Sequence, residues 1–102
     1  MSIQKKYLKT KPVCKVKFEI PGDTLDDAEA VYIVGEFNDW NEHSTAMKKQ
    51  KNGSFSITLD LETGGEYQFR YVIDGERWEN DPEADKYTPN NLCGSDNSVV
   101  VV

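Results

Sequence analysis

From Cys14 onward the chain runs in short bursts of alternating apolar and polar residues, each ending at a turn signal. Cys14, Val16, Phe18 and Ile20 alternate with Lys15, Lys17 and Glu19 before Pro21-Gly22. Phe55, Ile57, Leu59 and Leu61 alternate with Ser54, Ser56, Thr58 and Asp60 between Asn52-Gly53 and Thr63-Gly64-Gly65. Tyr67, Phe69, Tyr71 and Ile73 then alternate with Gln68, Arg70, Val72 and Asp74 before Gly75. A period of two sends successive side chains to opposite faces, so each burst is a strand with one buried face. The outward register of the third burst carries Arg70.

Two further strands follow from different signals. Val31 to Val34 is a continuous apolar run closed by Gly35, which predicts a central strand. Ser98 to Val102 ends in four valines, which on an open edge would template other chains and therefore belong inside a sheet. Residues 23–29 predict an acidic connection with room for one helical turn capped by Thr24, and Asn80 to Asp96 reads as a loop. Short strands with turn signals between them, and no long helical pattern, predict an all-β antiparallel sandwich of seven to eight strands.

The 102 residues make one domain, large enough to bury roughly two thirds of the unfolded chain's surface without metals or disulfides. Six lysines fall within the first 17 residues, so residues 1–10 are expected to be a solvated basic arm and residues 11–102 the folded domain. A net charge of −6 argues against nucleic acid or an anionic membrane as partner, since both select a basic surface. Cys14 and Cys93 are too few for a disulfide scaffold, although a bridge between them across the sandwich stays open. No apolar run has the length of a signal peptide or a membrane span, and a cytoplasmic chain with reduced thiols is expected. The Met start, and an end directly after the last strand, lead to the expectation of a free-standing module.

Chemistry concentrates between Val31 and Pro82. Trp40 follows a strand in VYIVGEFNDW, and Trp78 follows a tight turn in YQFRYVIDGERWENDP, where Asp74-Gly75 favours two central residues at positive φ. A flat aromatic face with hydrogen-bonding neighbours suits a pyranose ring, which has one face of C–H groups and a rim of hydroxyls. Asn38, Asp39, Asn41, Arg70, Glu79 and Asn80 supply such neighbours. Core packing of both tryptophans is the alternative. The polar turn around Trp40 points to partial exposure instead.

Catalytic residues are not expected. Eighteen acidic residues guarantee carboxylate pairs at glycosidase separations by chance, and a sandwich this small rarely builds the cleft they need. His43 has no motif nucleophile beside it, and no metal-ligand, phosphate-loop or cofactor spacing occurs.

Four segments in order, VYIVGEFNDW, EYQFRYVIDGERW, the NDP at Asn80 to Pro82 and the closing GSDNSVVVV, resemble the carbohydrate-binding modules of family 48 over about residues 30–102. These early-set domains precede the catalytic barrel in isoamylases and glycogen branching enzymes, and form the glycogen-binding domain of the AMP-activated protein kinase β subunit. The resemblance implies an immunoglobulin-like sandwich that binds α-1,4-glucans. It places Trp40 and Trp78 as stacking platforms, Arg70 and Asn97 as hydrogen-bonding partners of sugar, and Leu92, or its neighbour Cys93, as an apolar contact in the curve of the glucan. It also leaves open a different role, since in the amylolytic branch the domain often packs on its barrel without holding sugar. On that reading the partner is a glycogen-metabolising enzyme, and both tryptophans form a protein interface.

Overall fold

The computed structural model describes residues 2–22, 28–90 and 95–102. Two antiparallel sheets pack face to face in an immunoglobulin-like β-sandwich. Sheet A has the order β1-β2-β5-β4, with β1 at Ser2–Tyr7, β2 at Val13–Ile20, β4 at Lys48–Lys49 and β5 at Phe55–Glu62. Sheet B has the order β3-β6-β9-β8, with β3 at Val31–Gly35, β6 at Glu66–Ile73, β8 at Lys86–Asn90 and β9 at Ser95–Val101. Strand β7, Arg77–Glu79, pairs with the far end of β6. That makes nine strands among the described residues, one more than the upper end of the expected seven to eight, and β1 and β8 lie in segments expected to be an arm and a loop.

The alternating bursts form the core. Cys14, Val16, Phe18 and Ile20 of β2 are fully buried against Ile33, Phe69, Tyr71 and Val100 of sheet B. Phe18 meets Phe69 edge-on with ring centroids 5.1 Å apart, and Phe69 meets Tyr71 the same way at 5.7 Å. Edge-to-face rings gain about 0.5–1.5 kcal/mol beyond the area they bury. Cys14 is a buried free thiol. Cys93, Leu92 and Thr24 lie outside the described residues.

Three expectations about strands need correction. Val31–Gly35 is an edge strand, not a central one, and its open side is covered by Thr45–Met47: Ile33 N donates to Thr45 O at 3.0 Å and Met47 N to Val31 O at 2.8 Å. Its unbroken apolar run arises because Val34 is buried on the outer face of sheet B as well. The stretch from Asn80 to Asp96 contains β8, which tolerates Pro89 because it lies at the edge of its sheet. The basic N-terminal residues run as β1 along β2, and Lys5 Nζ crosses to Asp85 Oδ2 beside sheet B at 2.6 Å. The closing valines fall inside sheet B as expected: Val99, Val100 and Val101 pair with β6, Val99 also pairs with β8, and Val102 follows the strand.

The outer face of sheet B carries the candidate site

Register fixes which side chains share a face. Since Phe69, Tyr71 and Ile73 enter the core, Gln68, Arg70 and Val72 emerge on the outer face of sheet B. Opposite them lie Val34 and Tyr32 of β3, Trp78 of β7 and Val99 of β9. Val34, Val72 and Val99 are buried there, outside the main core cluster, so this face has an apolar floor of its own.

Trp78 stands directly across from Val72 and is 41% exposed. Its position comes from the Asp74-Gly75 turn, whose two central residues have φ of 54° and 70°, with Glu76 N donating to Ile73 O. Asp74 also anchors the preceding connection, its Oδ1 accepting from Glu29 N at 2.8 Å and Ala30 N at 2.9 Å. Those two backbone donors hold its carboxyl below the usual carboxylate range. A depressed folded-state pKa contributes stability that is complete above the unfolded value, about 3.9, and disappears as pH falls through the folded value. The urea midpoint is therefore expected to drop on acidification below about pH 4, and Asp74→Asn to flatten that drop. An equal acid response in the two proteins would dissociate Asp74 from it.

Trp40 is half-buried and sits at the end of β3 after a 3-10 turn, Glu36–Asn38. Asp39 and Trp40 both adopt left-handed backbone, φ 55° and 58°, which costs an L-residue about 1–2 kcal/mol each. The local hydrogen bonds compensate. Trp40 N donates to Gly35 O at 2.9 Å, and Asn41 N to Asn38 O at 3.2 Å. Asn38 Oδ1 accepts from Gly35 N, while its Nδ2 donates to Ile33 O and Thr45 Oγ1, all at 3.0 Å. Gly35 is required by close approach: a Cβ there would fall 2.4 Å from Gln68 O.

Arg70 and Asn97 lie side by side on the same face and are 7% and 4% exposed. Arg70 Nε donates to Asn97 Oδ1 and its Nη2 to Asp96 O, both at 2.7 Å, and Asn97 Nδ2 donates to Gln68 Oε1 at 2.9 Å. Both side chains are thus engaged within the sheet, tying β6 to β9.

Several other polar residues expected to face a ligand make hydrogen bonds within the protein. Asn38 spends its amide on the Trp40 turn. Asn80 Oδ1 accepts from Ser98 N at 3.0 Å and Oγ at 2.9 Å, and its Nδ2 donates to Asp96 O at 2.7 Å. Asn41 Oδ1 accepts from His43 N, closing its own loop. Sequence reasoning missed Asp81, which is fully buried and accepts from the Tyr71 hydroxyl at 2.7 Å. Burial, and then the Asp81 carboxylate, push the Tyr71 hydroxyl far above its ordinary range. The only sequence signal was an Asp between Asn80 and Pro82, a combination that favours side-chain-closed turns.

The chain matches the family model described as the glycogen recognition site of AMP-activated protein kinase over residues 24–102. It belongs to that family. Membership supports carbohydrate binding. Among curated relatives, protein PTST homolog 2, chloroplastic, of Arabidopsis thaliana is 37% identical over 57 residues, 56% of this chain and 10% of that protein. A 1,4-alpha-glucan-branching enzyme of Candida glabrata is 55% identical over 40 residues, 37% of this chain and 6% of that enzyme. The match therefore spans about a tenth or less of each relative's length. Among the described residues no helix is long and apolar enough to cross a membrane, and no group of three or more His, Cys, Asp or Glu is placed to hold a metal ion.

Proposed function

We propose that this domain binds α-1,4-glucans on the outer face of sheet B, with pyranose rings stacked on Trp78 and Trp40. The observation that carries this reading is the exposed Trp78 indole on β7 beside β6, on the same face as the polar set Arg70, Asn97 and Gln68. Arg70 and Asn97 act as a preorganised polar floor, fixed in place by each other before sugar arrives, which reduces the ordering cost of binding. The Trp40 turn spends backbone strain to hold its indole at the end of β3, a pattern found at ligand sites. Leu92 is assigned to the glucan's curve by family resemblance alone. Family membership and a relative named as a 1,4-alpha-glucan-branching enzyme support the substrate class.

Titration with maltoheptaose or β-cyclodextrin, followed by tryptophan fluorescence, tests this directly. Saturable quenching or a spectral shift is expected, with no reducing sugar released from glycogen, starch or pullulan. A glucan-metabolising enzyme that co-purifies stoichiometrically after amylase digestion, together with a flat glucan titration, would replace the sugar site by a protein-docking surface.

A further inference from the structure

Beyond Trp78, the outer face of sheet B carries a second aromatic ring, Tyr32. In the β3-β6-β7 register Tyr32 pairs with Val72, and Val72 pairs with Trp78, so tyrosine and tryptophan flank one buried valine in a single cross-strand row. Strands lie about 4.8 Å apart, which sets the two rings on the order of 10 Å from each other, farther than one pyranose spans. Tyr32 is half-buried, and among the described residues its hydroxyl makes no hydrogen bond. The His43 ring meets it edge-on at 6.2 Å and 80°, which steadies the tyrosine plane from the side of the Trp40 loop. Tyr32 borders an open depression of about 510 Å³ also lined by Ala30, the Asp74-Gly75 turn and the acidic residues Glu29 and Glu76.

Resting on the glucan reading above, we infer that Tyr32 is an additional sugar subsite that extends the platform past Trp78 along the β3 side. An aromatic face with a free hydroxyl suits the C–H face of one further glucose, and the carboxylates at the rim are acceptors for its hydroxyl groups. An acidic rim also disfavours anionic ligands, which is compatible with a neutral sugar. The subsite is reached only by a chain long enough to pass Trp78, so its contribution depends on oligosaccharide length.

Calorimetry with maltotriose and maltoheptaose, on wild type and Tyr32→Ala, reads this length dependence. Wild type is expected to hold maltoheptaose more tightly, and Tyr32→Ala to weaken maltoheptaose by about fivefold while changing maltotriose by less than about twofold. An independent readout on the unaltered protein avoids any folding defect of the variant: NMR signals of the His43 and Tyr32 rings should move with maltoheptaose and stay in place with maltotriose. Unmoved ring signals with maltoheptaose, or equal losses for both sugars, would overturn the subsite while leaving the Trp78 platform standing. A wild-type protein that binds neither sugar would instead overturn the glucan reading itself, and the subsite with it.

Discussion

Trp78→Ala is expected to cut α-glucan affinity about thirtyfold, a loss of roughly 2 kcal/mol typical of an aromatic hot spot, while the urea midpoint moves little. The indole is 41% exposed on a three-residue strand, so its truncation removes a surface plate and leaves the core closed. A stability change of about 0.5–1 kcal/mol follows from such a position. Trp40→Ala should behave differently. That residue is partly buried, so part of the about 3–5 kcal/mol that a fully buried tryptophan would cost is lost, on the order of 1–2 kcal/mol, along with binding. Chemical denaturation and glucan titration of the two variants side by side separate these outcomes. Full affinity in both stable variants would move the site off this face, and a core-sized midpoint shift in Trp78→Ala would make that residue a packing element.

What could be read from the sequence depended on whether a local pattern had one physical cause. The alternation in β2, β5 and β6 has one, a sheet with a wet side and a dry side, and those strands lie where the period places them. The apolar run of β3 has two, and it arose from a covered edge with Val34 buried on the outer face, not from a central position. β8 was hidden because Pro89 and its polar neighbours carry turn chemistry, and only pairing with Asp96 and Asn97 of β9 makes them a strand. β1 shows little alternation, and its charges dominate the reading although the backbone pairs fully with β2. The site divides in the same way. Aromatic residues beside turns announce exposure, and Trp78 has it. Asn38 and Asn80 cannot announce whether an amide will serve a ligand or a backbone, because both uses need the same atoms.

The buried Asp81 gives the largest expected effect on stability, and it connects the core to the site. Its carboxylate accepts from the Tyr71 hydroxyl at 2.7 Å and from Glu83 N at 2.8 Å, its own N donates to Ser98 Oγ at 2.9 Å, and its carbonyl accepts from the Tyr87 hydroxyl. Asp81→Ala strands the Tyr71 hydroxyl in the core, a desolvation penalty of about 1–3 kcal/mol, and removes bonds to a charged acceptor worth about 1.5–3 kcal/mol. A total near 3–4 kcal/mol is expected, a large share of the roughly 5–15 kcal/mol available to a domain. Since Ser98 follows Asn97 on β9, loosening this anchor also loosens the Arg70–Asn97 pair on the same face as Trp78, and glucan affinity should fall even though no sugar contact has been removed. Tyr71→Phe distinguishes an orphaned hydroxyl from a simple cavity. If the hydroxyl is the cause, Asp81→Ala costs markedly less in the Tyr71→Phe background, with a coupling within the roughly 0.5–3 kcal/mol found for residues in one network. Strict additivity of the two urea-midpoint losses would mean that Asp81 stabilises the fold through its backbone turn alone.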